Sequence, residues 1–187
     1  MDALEIAYTA DQLPGLCTTI GELKRLAELA QGVSSVAEIG CYMGRSTKAL
    51  SLAAGGRVYA VDTWRGSDED NDGEKTKATT PEILYAKFCG NLWDEISNGK
   101  VIPLRCDSVE GADILKAQGI RLDVIFLDAG HDYEWVTRDI QAWKPLLRKG
   151  GVMVGHDLPH PRMEEALNDY LPGWIASVGM LWEWVNE

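Results

Sequence analysis

The 187-residue chain is 45% hydrophobic and carries 29 Asp plus Glu against 18 Lys plus Arg, a formal net charge of −11. That apolar content can close one substantial core, and the acidic balance, with no basic run longer than Lys24-Arg25 or Arg148-Lys149, speaks against a nucleic-acid partner or an anionic membrane. No apolar stretch approaches the ~20 residues of a bilayer span, and a start containing Asp2 and Glu5 lacks the basic and apolar regions of an export signal, so a cytoplasmic location is expected.

In chain order, Leu16, Ile20, Leu23, Leu26, Ala27 and Ala30 recur at three- and four-residue steps, which predicts an amphipathic helix over Pro14 to Gln31, stopped at Gly32. The chain then alternates. Strand Val36 to Ile39, helix Ser46 to Ala54, strand Val58 to Val61, helix Pro81 to Ser97 and strand Val101 to Leu104 come first. Helix Val109 to Ala117, strand Leu122 to Leu127, helix Tyr133 to Leu147, strand Val152 to Val154 and helix Arg162 to Tyr170 follow. Apolar runs without alternation are the mark of strands covered on both faces, and strand-helix alternation implies right-handed crossovers in a parallel sheet.

The end of the chain differs: Trp174 to Val178 and Leu181 to Val185 flank Gly179-Met180, which reads as a β-hairpin that adds an antiparallel strand. The expected fold is a doubly wound Rossmann-like α/β sheet in one domain, 1–187, with residues 1–32 as a helical cover and 33–187 as the core. Arg65 to Thr80, containing Asp68-Glu69-Asp70-Asn71-Asp72-Gly73, is polar enough for a long loop. Cys17, Cys41, Cys89 and Cys106 show neither CxxC pairing nor zinc spacing; Cys41 and Cys106 are expected to be small packing residues.

The chemistry gathers at predicted strand ends. Asp128 and His131 follow one apolar run, and His156 and Asp157 follow another; in an open α/β sheet the strand C-termini border the ligand crevice. A third cluster is Glu38-Ile39-Gly40-Cys41-Tyr42-Met43-Gly44-Arg45-Ser46, a strand passing through a glycine turn into a helix start with unpaired N–H groups. Asp62 ends the next strand, where a carboxylate can accept from both hydroxyls of a ribose. Asp107-Ser108 follows the strand after that and is placed to meet an adenine edge.

These residues resemble the class I S-adenosylmethionine-dependent methyltransferases, whose glycine motif has the form E-x-G-x-x-x-G. A phosphate-free, sulfonium-bearing ligand tolerates the acid at Glu38 that a pyrophosphate would not. The resemblance implies that Gly40, Cys41, Tyr42, Gly44 and Ser46 border the methionine part, Asp62 the ribose, and Thr63-Trp64 and Asp107-Ser108 the adenine. For Trp64 a place at the core edge stays open.

The segment Leu127-Asp128-Ala129-Gly130-His131-Asp132-Tyr133, with Asp139, Trp143, Gly150-Gly151 and Gly155-His156-Asp157, is similar to the macrocin O-methyltransferase branch, which is metal-dependent. That likeness implies metal ligation by Asp128, Asp157 and His156, and a general base in His131. His156 can instead stand outside the ligand shell and orient Asp157. As a ligand it would move the preference from Mg²⁺ toward Mn²⁺, Fe²⁺ or Zn²⁺.

Asp132 is expected to cap the following helix, Asp139 and Arg138 to lie on its surface or share a salt bridge, and Val136, Ile140, Trp143 and Leu147 to face the core. His160 belongs to a loop near the rim. The function implied is methyl transfer to a hydroxyl of a small molecule. Two alternatives stay open: a metal-independent O- or N-methyltransferase using His131, and a non-catalytic S-adenosylmethionine-binding module. Seven tryptophans, Trp174, Trp182 and Trp184 among them, are aromatic surface enough for a homo-oligomer to be among the expectations.

Overall fold

The computed structural model describes residues 1–15, 18–66 and 80–187; Leu16 and Cys17 of the expected first helix, and 67–79 of the expected polar loop, lie outside the described residues. The elements are α1 (Ala3–Ala10), α2 (Ile20–Ala30), β1 (Ser35–Ile39), α3 (Arg45–Ala53), β2 (Arg57–Asp62), α4 (Pro81–Asn91), α5 (Trp93–Ser97) and β3 (Val101–Arg105). After them come α6 (Ser108–Ala117), β4 (Leu122–Leu127), α7 (Tyr133–Trp143), β5 (Leu147–Gly155), α8 (Pro161–Tyr170), β6 (Ile175–Ala176) and β7 (Trp182–Val185).

The strands form one sheet of order β3-β2-β1-β4-β5-β7-β6. β1 to β5 pair in parallel, and β7 runs antiparallel to both β5 and β6. This is the expected doubly wound sheet, with β7 as its single reversed strand.

The strand side chains explain the unbroken apolar runs. Val36, Val58, Ala60, Val124, Phe126 and Val154 face one buried cluster with α1 to α4. Their neighbours Ala37, Tyr59, Val61, Ile125, Leu127 and Met153 face a second cluster with α6 to α8. Both faces are dry, so no polar alternation is needed. The predicted stripe of Val136, Ile140, Trp143 and Leu147 is buried. No helix among the described residues is long and apolar enough to cross a membrane.

Several boundaries depart from the sequence reading. Pro14 and Gly15 are not helical; α2 starts at Ile20, where Thr19 and Glu22 form a capping box. A shorter helix, α1, precedes it under a capping box of Asp2 and Glu5; its eight residues are too few for a clear apolar period, and the Asp-x-x-Glu signature was the usable signal. The helix expected over Pro81 to Ser97 breaks at Leu92, φ −117°, just after the poor helix formers Gly90 and Asn91. Pro145 stops α7 early: Lys144–Leu146 forms a 3₁₀ turn and Leu147 begins β5.

Register creates the site. Val61, Ile39, Leu127 and Gly155 lie side by side across β2, β1, β4 and β5, so the next residues, Asp62, Gly40, Asp128 and His156, form one row at the C-terminal edge of the sheet. The strand order reverses between β1 and β4, where a crevice opens.

Candidate functional site

On the β1–β2 side the carboxylates hold backbone. The Asp62 Oδ2 atom accepts from the amides of Cys41 and Tyr42, both at 2.9 Å, and Oδ1 accepts from Trp64 N at 2.6 Å. Burial pushes the Asp62 carboxyl above its ordinary pKa despite these bonds. Gly40 has φ +88°, and a Cβ there would stand 2.1 Å from the carbonyl oxygen of Asp128. Only glycine lets the two strand-end loops touch.

Gly44, φ +90°, forms the N-cap of α3, and Ser46 donates its hydroxyl to the fully buried Glu38 carboxylate. Burial lifts Glu38 to about 8, against the opposing hydrogen bond of Ser46. The Cys41 side chain is buried and its thiol is raised well above normal by that burial, which suits packing rather than nucleophilic chemistry.

The remaining residues expected at the adenine have other engagements. The Trp64 indole is 1% exposed, tilts against Tyr85 and Phe88 with centroids at 4.7 and 4.9 Å, and donates to the Tyr42 carbonyl at 2.7 Å. The ring belongs to the core. Thr63 Oγ1 accepts from Arg65 N at 3.2 Å. Asp107 caps α6, accepting from Val109 N at 3.0 Å, and pairs with Arg138. Ser108 Oγ accepts from Trp143 Nε1 at 2.9 Å.

Asp139, expected at the helix surface, is 3% exposed. Burial raises it to about 6, opposed by a hydrogen bond with Ser108. The turn of α7 that carries Asp139 faces the sheet together with Val136 and Ile140, a consequence of helical spacing that its charge obscured.

On the β4–β5 side the charges face one another. Asp157 sits in left-handed backbone, φ +74°, a conformation that costs a non-glycine residue about 1 kcal/mol. Its Oδ2 is 2.8 Å from His131 Nδ1 and its Oδ1 is 3.0 Å from His156 Nδ1. His156 Nδ1 is also 3.8 Å from Asp128 Oδ1. One donor atom each from Asp128, His156 and Asp157 lie within 4.8 Å of one another, and two oxygens with one nitrogen fit a divalent cation of borderline softness.

Burial lifts Asp128 to about 6, helped by the charge of Asp157 and opposed by that of His156. Burial opposes ionisation of Asp157 too, yet the two imidazoles hold its carboxyl far below the usual range. For His156 burial disfavours the charged form, but Asp157, Asp128 and Glu22 outweigh it and raise the ring to about 9. Asp132 caps α7 as expected, accepting from Trp135 N at 2.8 Å. A cavity of about 460 Å³ adjoins the cluster, lined by His131, Asp157, Leu158, Pro159, His160 and Met180 among others.

One residue escaped the sequence reading. Glu22 of α2 is 1% exposed, with Oε1 3.4 Å from His156 Nε2. Its capping-box position accounted for it locally, and nothing nearby in sequence signals the contact.

A sheet of order β3-β2-β1-β4-β5-β7-β6 with a glycine turn after β1 and acids after β2, β4 and β5 is the architecture of class I methyltransferases. Residues 37–158 match the family model described as a methyltransferase domain, well over half of the chain, and the protein belongs to that family. Similar solved structures include cofactor-bound Rv0187 from MTB, at 23% identity and TM-score 0.67 over 99% of this chain and 90% of that one. An O-methyltransferase from Bacillus cereus in complex with SAH matches at 19% and 0.65, over 99% and 91%. TomG from Streptomyces achromogenes, an O-methyltransferase involved in tomaymycin synthesis solved with SAM, matches at 18% and 0.67, over 100% and 91%. At these identities the likeness speaks for the fold.

Proposed function

We propose that this enzyme transfers the methyl group of S-adenosylmethionine to a hydroxyl of a small molecule, using a divalent metal held by Asp128, His156 and Asp157. The observation that carries the reading is the convergence of those three donors within 4.8 Å, two of them in the row where Gly40 meets Asp128 and the third one residue past it. The SAH- and SAM-bound neighbours support the cofactor. The glycine turn and Asp62 are suited to the methionine and ribose parts, and the carboxylates of Asp128 and Asp157 make the edge anionic, favourable to a sulfonium.

A bound divalent cation would lower the pKa of the acceptor hydroxyl and so stabilise the developing alkoxide. The protein's own residues do the rest. Asp157 holds His131 through Nδ1, which leaves Nε2 as the atom that takes the hydroxyl proton. The cavity beside His131 receives the acceptor, with Leu158, Pro159 and Met180 as its apolar lining, and rigid strand ends keep oxygen, methyl carbon and sulfur in line. The nitrogen ligand favours Mn²⁺, Fe²⁺ or Zn²⁺ over Mg²⁺.

A second reading has an observation of its own: Asp157 already bridges both imidazoles at 2.8 and 3.0 Å, so a His131–Asp157 pair could take the proton without a metal. Thermal-shift titration with S-adenosylmethionine and S-adenosylhomocysteine, with and without Mn²⁺ or Mg²⁺, separates these, since any ligand of the native state raises its melting point. Wild type is expected to respond to both cofactor and metal, and Asp128→Ala to lose the metal response and, in turnover, on the order of 10² to 10³-fold in rate. No shift with either adenosyl ligand overturns the methyltransferase reading. Full activity in chelator favours the metal-free one, and tight binding without transfer to any hydroxyl acceptor favours a binding module.

A further inference from the structure

We infer that Glu22 is a positioning residue of the metal centre: its carboxylate, facing Nε2 of His156, keeps the ring proton on that nitrogen and thereby presents Nδ1 to the cation. The inference rests on the metal-dependent reading above. His156 turns Nδ1 toward Asp157 and Asp128, at 3.0 and 3.8 Å, and Nε2 toward Glu22, at 3.4 Å. A neutral imidazole that ligates through one nitrogen carries its proton on the other, and the acceptor of that proton sets ring orientation and donor strength. Nε2 is buried without a hydrogen-bond partner among the described residues, and the carboxylate it approaches is Glu22.

Capping alone does not explain where Glu22 lies. The matching capping-box residue of α1, Glu5, is exposed, whereas Glu22 is 1% exposed. Burying a carboxylate is costly unless polar partners surround it, and this one is surrounded. Its Oε2 accepts from Thr19 N and Oγ1, at 2.6 and 2.8 Å, and its Oε1 accepts from Met180 N at 2.7 Å. The chain also makes room for it: a Cβ on Gly179 would fall 2.3 Å from Glu22 Oε1. The turn before β7, the start of α2 and the imidazole after β5 are thus built around one oxygen. A third carboxylate behind the ligands adds negative charge where a cation would sit, and joins α2 to the proposed metal centre.

The test is Mn²⁺ binding by calorimetry on full-length wild type, Glu22→Gln, Thr19→Ala and Asp128→Ala. Glu22→Gln is expected to weaken Mn²⁺ about 10- to 100-fold, while Thr19→Ala, which removes a hydroxyl from the same carboxylate and weakens the cap, leaves Mn²⁺ affinity at the wild-type value. Equal affinity in Glu22→Gln and wild type overturns the inference, as does an equal loss in Thr19→Ala. Absence of Mn²⁺ binding by wild type, or its persistence in Asp128→Ala, overturns the underlying metal reading instead. Should Glu22→Gln fail to fold, ¹⁵N spectra of Zn²⁺-loaded wild type decide. His156 is expected to coordinate through Nδ1 with a protonated Nε2, and coordination through Nε2 sinks the proposal.

Discussion

The two halves of the crevice use acids in opposite ways. At the ends of β1 and β2, Glu38 and Asp62 turn inward and bond a serine hydroxyl and three main-chain amides, so their hydrogen bonds go into the shape of a turn. After β4 and β5, Asp128 and Asp157 meet imidazoles rather than amides, and their charge remains concentrated in the crevice. A half built on backbone hydrogen bonds ties the shape of its turn to the fold. A half built on side chains can lose a member and keep its fold.

Breaking the first half has the largest expected effect on the whole molecule. Trp64→Ala removes a buried indole that packs on Tyr85 and Phe88 and holds the Tyr42 carbonyl, and should cost about 3–5 kcal/mol of stability. Denaturant unfolding measures it, and S-adenosylhomocysteine affinity should fall with it. Retention of wild-type stability would show that the turn does not depend on this support.

In the second half, His131→Gln should slow turnover on the order of 10²-fold or more while the melting temperature stays near that of wild type, because the His131 side chain is 33% exposed and lies beside Asp157 at the rim of the crevice. An equal loss of rate and stability would abolish the distinction between the halves.

The finest probe is pH. Glu38 is raised from 4.5 to about 8 in the folded protein, so the folded state keeps a proton that the unfolded chain releases. Its contribution is fully present below about pH 4.5 and is lost as pH rises through about 8, since stability falls wherever the native state binds more protons. Glu38→Gln should therefore flatten the ligand-free melting profile, with the gap between variant and wild type growing from pH 5 to 8. Parallel profiles would mean that Glu38 is ionised in the ligand-free protein.

Much of this was legible from local pattern. The apolar runs ending at Ile39, Val61 and Leu127 marked strands because a strand buried on both faces needs no alternation, and the residues after them were candidates for the crevice for that reason. Asp132 was readable as a cap because capping is settled within three residues. For Trp64 the sequence left a core edge and a ligand contact both open, and the indole lies in the core; Asp107 and Ser108 also hold a helix cap and an indole N–H, since a strand-end position leaves open which way a side chain turns. Asp139 looked like surface because a lone acid on a helix usually is, and its burial followed from the face α7 lays on the sheet.

The sequence by itself determined the strands, the glycine turn and which acids and histidines end each strand, because periodicity and turn chemistry act over a few residues. Tertiary structure decided which of them meet. Parallel register aligned Asp62, Gly40, Asp128 and His156 in one row, and the packing of α2 against the turn before β7 brought Glu22 to His156. Backbone pairing and helix docking join residues remote in the chain, so no local pattern records them.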